Sequence, residues 1–326
     1  MSTRLSDYDY DLPRELIAQR PPERREGARM MVLRRAEQTI EHYQFCQLKT
    51  FTQPSDLLVL NNTRVLPARR FSDDGTIEFL FVERLGPKRW KCLIKPGRKM
   101  RVGATAKIDN VTLRIDEVTP DGERVLILDE ELDVYAQGLM PLPPYIKRLS
   151  DDEDAARYQT VFANAGGAIA APTAGLHFTR EILSETPHTF VTLHVGPGTF
   201  LPVRSENIAE HLMHAERFSI SPEAANKINS AHRIIAVGTT TVRTLESARR
   251  VDGKVQAQEA TSNLFIYPPY RFRAVGGLLT NFHLPRSTLL MLVSAFAGRE
   301  FLLGAYEEAI RERYRFYSYG DCMLIL

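Results

Sequence analysis

Cysteine is scarce in this chain, three residues in 326. Cys46, Cys92 and Cys322 stand far apart, with no Cys-x-x-Cys or Cys/His ligand spacing, which argues against a disulfide framework or a structural zinc site. Long apolar runs are missing as well: no stretch approaches the roughly 18 to 20 uninterrupted apolar residues that cross a bilayer as a helix. The opening Met1-Ser2-Thr3-Arg4-Leu5, followed by Asp7, Asp9 and Asp11, lacks the apolar core and small-residue cleavage site of an export signal, so a cytoplasmic protein is expected. A charge excess is also absent. With 42 Lys and Arg against 40 Asp and Glu, the formal net charge is +2, and any nucleic acid must be met by local patches rather than by the whole molecule. Balanced charge gives no guide to assembly, and a monomer is the default expectation. Repeats and low-complexity segments are lacking. What is present is 44% hydrophobic and 25% charged, a globular composition long enough for two domains.

The texture changes twice along the chain. Residues 1–69 carry an extended, proline-punctuated opening and then the apolar run Asp56-Leu57-Leu58-Val59-Leu60 ending in Asn61-Asn62-Thr63, which reads as a buried strand closed by a polar turn. Residues 70–139 are short β-rich segments, 77–83, 90–94, 105–108, 111–118 and 124–128. Turn signals such as Pro96-Gly97, Asp109-Asn110 and Pro120-Asp121-Gly122 separate them, a spacing that suggests a small barrel or sandwich. The stiff Met140-Pro141-Leu142-Pro143-Pro144-Tyr145 then marks a return to the first domain. The expected organisation is therefore a discontinuous α/β domain, 1–69 and 140–326, with a β-barrel-like domain inserted at 70–139. From about 167 onward the pattern is strand, loop, helix: 167–171 into a helix near 179–183, 233–237 into 242–250, and 278–282 into 288–297.

Open α/β sheets bind ligands beyond the carboxyl ends of their strands, and the polar residues of this chain gather at those junctions. His177 lies in the first junction, Thr239 and Thr240 in the second, His283 and Arg286 in the third, and His194 closes a further apparent strand, 189–194. Gly238-Thr239-Thr240-Thr241 either caps its helix through Thr240 or Thr241 or cradles an anion. Arg243 in the first turn opposes the helix dipole unless an anion or acidic partner compensates, and ligand binding is favoured here. His211 and His214, on a helix, would share one face. Without a third ligand their spacing is a weak zinc signal, and acid/base or RNA-contact roles are preferred. The last helix, read as 307–315, ends in arginines interleaved with Tyr314, Phe316, Tyr317 and Tyr319. Those aromatics either stack on unpaired bases or, more commonly, fill the core. Asp321 follows Tyr319-Gly320 where a cleft carboxylate could act.

Several stretches together resemble one family, the S-adenosylmethionine:tRNA ribosyltransferase-isomerases of queuosine biosynthesis. They include Asp7-Tyr8-Asp9-Tyr10-Asp11-Leu12-Pro13, Leu60-Asn61-Asn62-Thr63-Arg64-Val65-Leu66-Pro67, Ala171-Pro172-Thr173-Ala174-Gly175-Leu176-His177 and Thr192-Leu193-His194-Val195-Gly196-Pro197-Gly198-Thr199. Glu210-His211-Leu212-Met213-His214, Val237-Gly238-Thr239-Thr240-Thr241-Val242-Arg243, Thr280-Asn281-Phe282-His283-Leu284-Pro285-Arg286 and Tyr314-Arg315-Phe316-Tyr317-Ser318-Tyr319-Gly320-Asp321 follow in collinear order. The resemblance implies an α/β domain with an inserted β-barrel. It further implies S-adenosylmethionine and a tRNA bearing 7-aminomethyl-7-deazaguanine at the wobble position as substrates, epoxyqueuosine-tRNA, adenine and methionine as products, and no metal or redox cofactor. His177, His194 and His283 are expected to line one cleft with Asp321 nearby as the catalytic set. Thr173, Thr199, His211, His214, Thr239, Thr240, Arg243, Arg286 and Tyr319 are expected to bind substrate. Asn62 stands where the family pattern has Asp; a neutral amide cannot supply a carboxylate's charge, so residue 62 is left out of the catalytic set. A noncatalytic tRNA-binding relative and an S-adenosylmethionine-dependent RNA methyltransferase are the other readings. No early strand followed by Gly-x-Gly-x-Gly favours the latter.

Overall fold

The computed structural model describes residues 3–196, 198, 203 and 205–326. The chain separates into two compact units, one of residues 1–64, 143–147 and 159–326 and the other of 65–142 and 148–158. Residues 148–158, outside the β-rich stretch read from sequence, cluster with the second unit. There the helix Asp152–Arg157 is closed by a capping box between Asp151 and Asp154, and Arg148 holds the buried Asp154.

The larger unit is built on a nine-stranded sheet. Its order is Gln258–Ser262, Glu216–Ile220, His188–Leu193, Asp56–Asn61, Arg233–Val237, Gly277–Asn281, Cys322–Ile325, Arg29–Arg34 and Thr39–Gln44. The four strands from His188–Leu193 to Gly277–Asn281 run parallel, and Cys322–Ile325 runs against its neighbour Gly277–Asn281. Asp56–Asn61 is buried over its whole length, as a central strand covered on both faces must be. Its period of two sends Leu57 and Val59 into one core and Leu58 and Leu60 into the other. The first core is packed by the helices Pro222–Ser230, Thr239–Ser247, Thr288–Ala297 and Arg299–Arg311, the second by the 3-10 turn Phe45–Phe51 with Phe178 and Leu183. Thr288–Ala297 is apolar nearly all round because it lies inside that packing. No single helix among the described residues is long and apolar enough to cross a membrane.

The smaller unit carries a six-stranded antiparallel sheet in the order Arg69–Phe71, Glu78–Gly86, Arg89–Lys95, Arg124–Leu128, Val111–Val118 and Thr105–Ile108. Phe79, Phe81, Trp90, Cys92, Ile94, Leu113, Ile115, Leu126 and Leu128 alternate inward. The ends of the sheet meet: the Asp73 amide donates to the Lys107 carbonyl at 2.9 Å and the Asp109 amide to the Asp73 carboxylate at 2.8 Å, so the sheet nearly closes into a barrel. Asp109 and Asn110 both take positive φ, 51° and 67°, the two-residue turn whose twist suits a hairpin. Fold class and barrel thus agree with the sequence reading.

Candidate active site at the carboxyl edge of the sheet

The parallel strands deliver their last residues to one edge, and Cys322–Ile325, running the other way, delivers the residue before it to the same edge. Asn61, Leu193, Gly238, Asn281 and Asp321 therefore lie in one row of strand ends. Two buried asparagines organise it. Asn61 donates to the Leu193 carbonyl at 2.9 Å and the Thr240 hydroxyl at 3.3 Å, and its Oδ1 accepts from the amides of Thr63 and Leu193. Asn281 donates to the carbonyls of Tyr317 and Asp321 at 3.2 and 3.3 Å and sits 3.2 Å from His177 Nε2, while its buried Oδ1 has no hydrogen-bond partner among the described residues. Sequence reasoning passed over both asparagines, although each ends an apolar strand with a polar side chain.

His177 closes the 3-10 turn Thr173–His177, is buried against Phe45, and is pushed down to about 4 by that burial with help from Arg25 and Arg315. Its ring is neutral near neutrality. His283 is also buried and neutral, pushed down by burial to about 3: Nε2 lies 2.8 Å from the Thr280 hydroxyl, its amide meets the Tyr306 hydroxyl at 2.9 Å, and its carbonyl accepts from Tyr10. Asp321 accepts from the amides of Arg29 at 2.9 Å and Arg315 at 2.7 Å. Burial raises its carboxyl and those two bonds oppose the rise. It ties the chain entering Arg29–Arg34 to the chain leaving the last helix.

His194 is different. It is half-buried, its Nδ1 lies 2.9 Å from the Thr63 hydroxyl, and burial first and Arg217 second lower its basicity. Gly167, at φ 145°, presses on the ring; a Cβ there would come within 2.8 Å of Nδ1. With Nδ1 engaged, Nε2 is the ring atom left for a ligand, and His194 lines a cavity of about 490 Å³ with Thr192, Arg217, Ser219, Glu259 and Thr261. Asn62 stands beside it, its Oδ1 accepting from the Thr192 hydroxyl at 2.7 Å. Thr63, Gly167 and Arg217 were not singled out from sequence, because their role depends on the fold bringing them to one ring.

The expectation of a single cleft holding all three histidines is corrected. His177 meets the end of Gly277–Asn281 and His283 follows it, whereas His194 belongs to a strand three inter-strand steps away, roughly 14 Å. Arg243 is corrected as well. Its Nη1 pairs with Glu216, its Nε and Nη2 meet the Leu264 and Ser262 carbonyls at 3.2 and 3.3 Å, and it is 3% exposed, so the acidic partner that the helix dipole demanded is internal. Neither Thr240 nor Thr241 caps the helix: Gly238 holds that position at φ 87°, Thr241 bonds back to the Val237 carbonyl, and Thr239 and Thr240 are buried. His211 and His214 are not helical. The turn Ile208–Glu210 ends before them, His211 sets its edge on Phe265, and His214 packs beside Gly198. Arg286 pairs with Asp9 on the surface. Thr173 is half-buried at the start of its turn, and Tyr319 is buried. Thr199 lies outside the described residues. The last helix is Arg299–Arg311, and Tyr314, Phe316, Tyr317 and Tyr319 are core side chains rather than a stacking platform.

Comparison with known proteins accounts for the whole length. The family model described as "Queuosine biosynthesis protein" matches residues 5–325. S-adenosylmethionine:tRNA ribosyltransferase-isomerases of Carboxydothermus hydrogenoformans and Moorella thermoacetica are 50% and 48% identical, each over 99% of this chain and 100% of the relative. The crystal structure of S-adenosylmethionine tRNA ribosyltransferase from Thermotoga maritima superposes with a TM-score of 0.55 at 38% identity, covering 98% of this chain and 100% of that one. A match this long and this close places the chain in the queuosine-biosynthesis family of S-adenosylmethionine:tRNA ribosyltransferase-isomerases.

Proposed function

We propose that this chain transfers and isomerises the ribosyl moiety of S-adenosylmethionine onto 7-aminomethyl-7-deazaguanine at the wobble position of a tRNA, giving epoxyqueuosine-tRNA with release of adenine and methionine. The observation that carries the reading is collinear likeness to ribosyltransferase-isomerases over 99% of the chain at 48–50% identity. The chemistry needs a base for the carbon beside the sulfonium, a donor to help adenine leave, and orientation of the attacking amine. His194 suits proton transfer better than His177 or His283, since the latter two are buried neutral rings with internal partners while His194 faces a cavity. The protein acts in the cytoplasm as a monomer, and S-adenosylmethionine is its substrate rather than a cofactor.

Incubating the protein with S-adenosylmethionine and precursor tRNA and analysing the small products tests this directly. Adenine and methionine in equal amounts are expected. S-adenosylhomocysteine would make it a methyltransferase, and tRNA binding with no small product would make it a noncatalytic relative.

A further inference from the structure

The cavity beside His194 has a charge arrangement that the proton-transfer reading does not use. Three strands at the end of the sheet present one face in two cross-strand rows. Thr192 pairs with Ser219 and Ser219 with Glu259; one step on, the His194 amide bonds to the Arg217 carbonyl and Arg217 pairs with Thr261. All six residues line the cavity. Arg217 and Glu259 are diagonal neighbours on this face, a geometry that sets their Cβ atoms roughly 7 Å apart. Both are exposed, and neither side chain has an ion-pair partner among the described residues. Opposite charges on adjacent strands commonly pair with each other. Here they flank open space of about 490 Å³.

We propose that this cavity seats an α-amino-acid zwitterion, with Arg217 taking the carboxylate, Glu259 the ammonium, and the Thr192, Ser219 and Thr261 hydroxyls the remaining hydrogen bonds. A carboxylate and an ammonium joined through one carbon, each reached by a charge-assisted hydrogen bond of about 2.8 Å, span the gap between such a pair without requiring the two side chains to meet. A phosphate fits less well, because Glu259 would repel it. Resting on the reading above, the occupant is the amino-acid end of S-adenosylmethionine and, after reaction, the methionine released.

Calorimetric titration of the intact protein with methionine, methioninamide and N-acetylmethionine tests the seat without any turnover. Methionine should bind, and each analogue, lacking one charge, should bind at least about tenfold more weakly, the scale of one charge-assisted bond. Arg217→Gln should lose the discrimination against methioninamide and Glu259→Gln that against N-acetylmethionine, each raising KM for S-adenosylmethionine with KM for tRNA unchanged. Absence of methionine binding at millimolar concentration, or equal affinity for all three ligands, overturns the proposal. So does the pattern in which Arg217→Gln weakens and Glu259→Gln tightens tRNA binding while methionine affinity stays put, which would make the face a phosphate track. If the protein binds methionine with this selectivity yet releases no adenine from S-adenosylmethionine and precursor tRNA, the seat stands and the assigned reaction fails.

Discussion

At the scale of single residues, burial separates the histidines by role. His177 and His283 carry rings whose partners are internal, so their loss should be felt in stability; His194 meets a cavity, and under the proposed reaction its loss should be felt in turnover. His194→Ala should lower kcat by about a hundred- to ten-thousandfold with tRNA affinity retained, measured by adenine release alongside filter binding. Equal rates in the variant would remove His194 from the chemistry. Thr63 orients that ring, since its hydroxyl is the contact at Nδ1. Thr63→Val should therefore lower kcat and shift its pH profile, and Thr63→Ser should restore both. A valine variant as fast as the parent would show that the hydrogen bond does not matter, and a serine variant as slow as the valine variant would show that the methyl group's packing is needed as well. Arg243 and Glu216 form a buried ion pair whose separation strands one charge in the core. Arg243→Met should cost roughly 3 to 5 kcal/mol in urea denaturation, and the loss should shrink when Glu216→Gln is added. An undiminished stability would argue that the pair is solvated in solution.

At the scale of elements, helix starts and turns decide how the strand ends are presented. Ser287 caps Thr288–Ala297 through the Leu290 amide, and Thr179 caps Arg180–Ser184 through the Ile182 amide. Ser287→Ala should cost about 1 kcal/mol, read as a lowered denaturation midpoint with unchanged m-value. A changed m-value would mean that the helix start reorganises instead. The Thr173–His177 turn has no such cap; it is held by close packing, with a Cβ at Gly175 falling 2.9 Å from Phe162 and Thr160 atoms. That crowding sets where His177 ends and hence its meeting with Asn281.

At the scale of the whole molecule, the buried neutral histidines make stability depend on pH. Their pKa values fall from an ordinary 6.5 to about 4 for His177 and about 3 for His283, so below pH 6.5 the unfolded chain binds protons that the folded chain refuses. Stability is therefore complete above pH 6.5 and declines as pH falls toward 4 and then 3, by on the order of 3 kcal/mol for His177 alone. Asp321, raised by burial, works in the opposite direction in the carboxylate range. Denaturation midpoints should drop from pH 7 to pH 4.5, and the slope should flatten in His177→Asn; a slope untouched by that change would locate the acid sensitivity elsewhere.

Much of this was legible in the chain itself. Apolar runs such as Asp56–Asn61 and Arg233–Val237, the alternation and turn residues of the barrel, and the polar residues closing each strand determined the elements and the sheet edge at which those polar residues gather, because those signals are local and periodic. The order of strands was not local. Cys322–Ile325 enters the sheet between Gly277–Asn281 and Arg29–Arg34 from the far end of the chain, and only those pairings put Asp321 next to the Arg29 amide and its carbonyl next to Asn281. Tertiary structure likewise decided that Arg243 would find Glu216 instead of a substrate, and that three histidines with the same local context would face two cores and one cavity. Distance across a sheet follows from strand order, and burial from what packs above it, neither of which a stretch of sequence carries by itself.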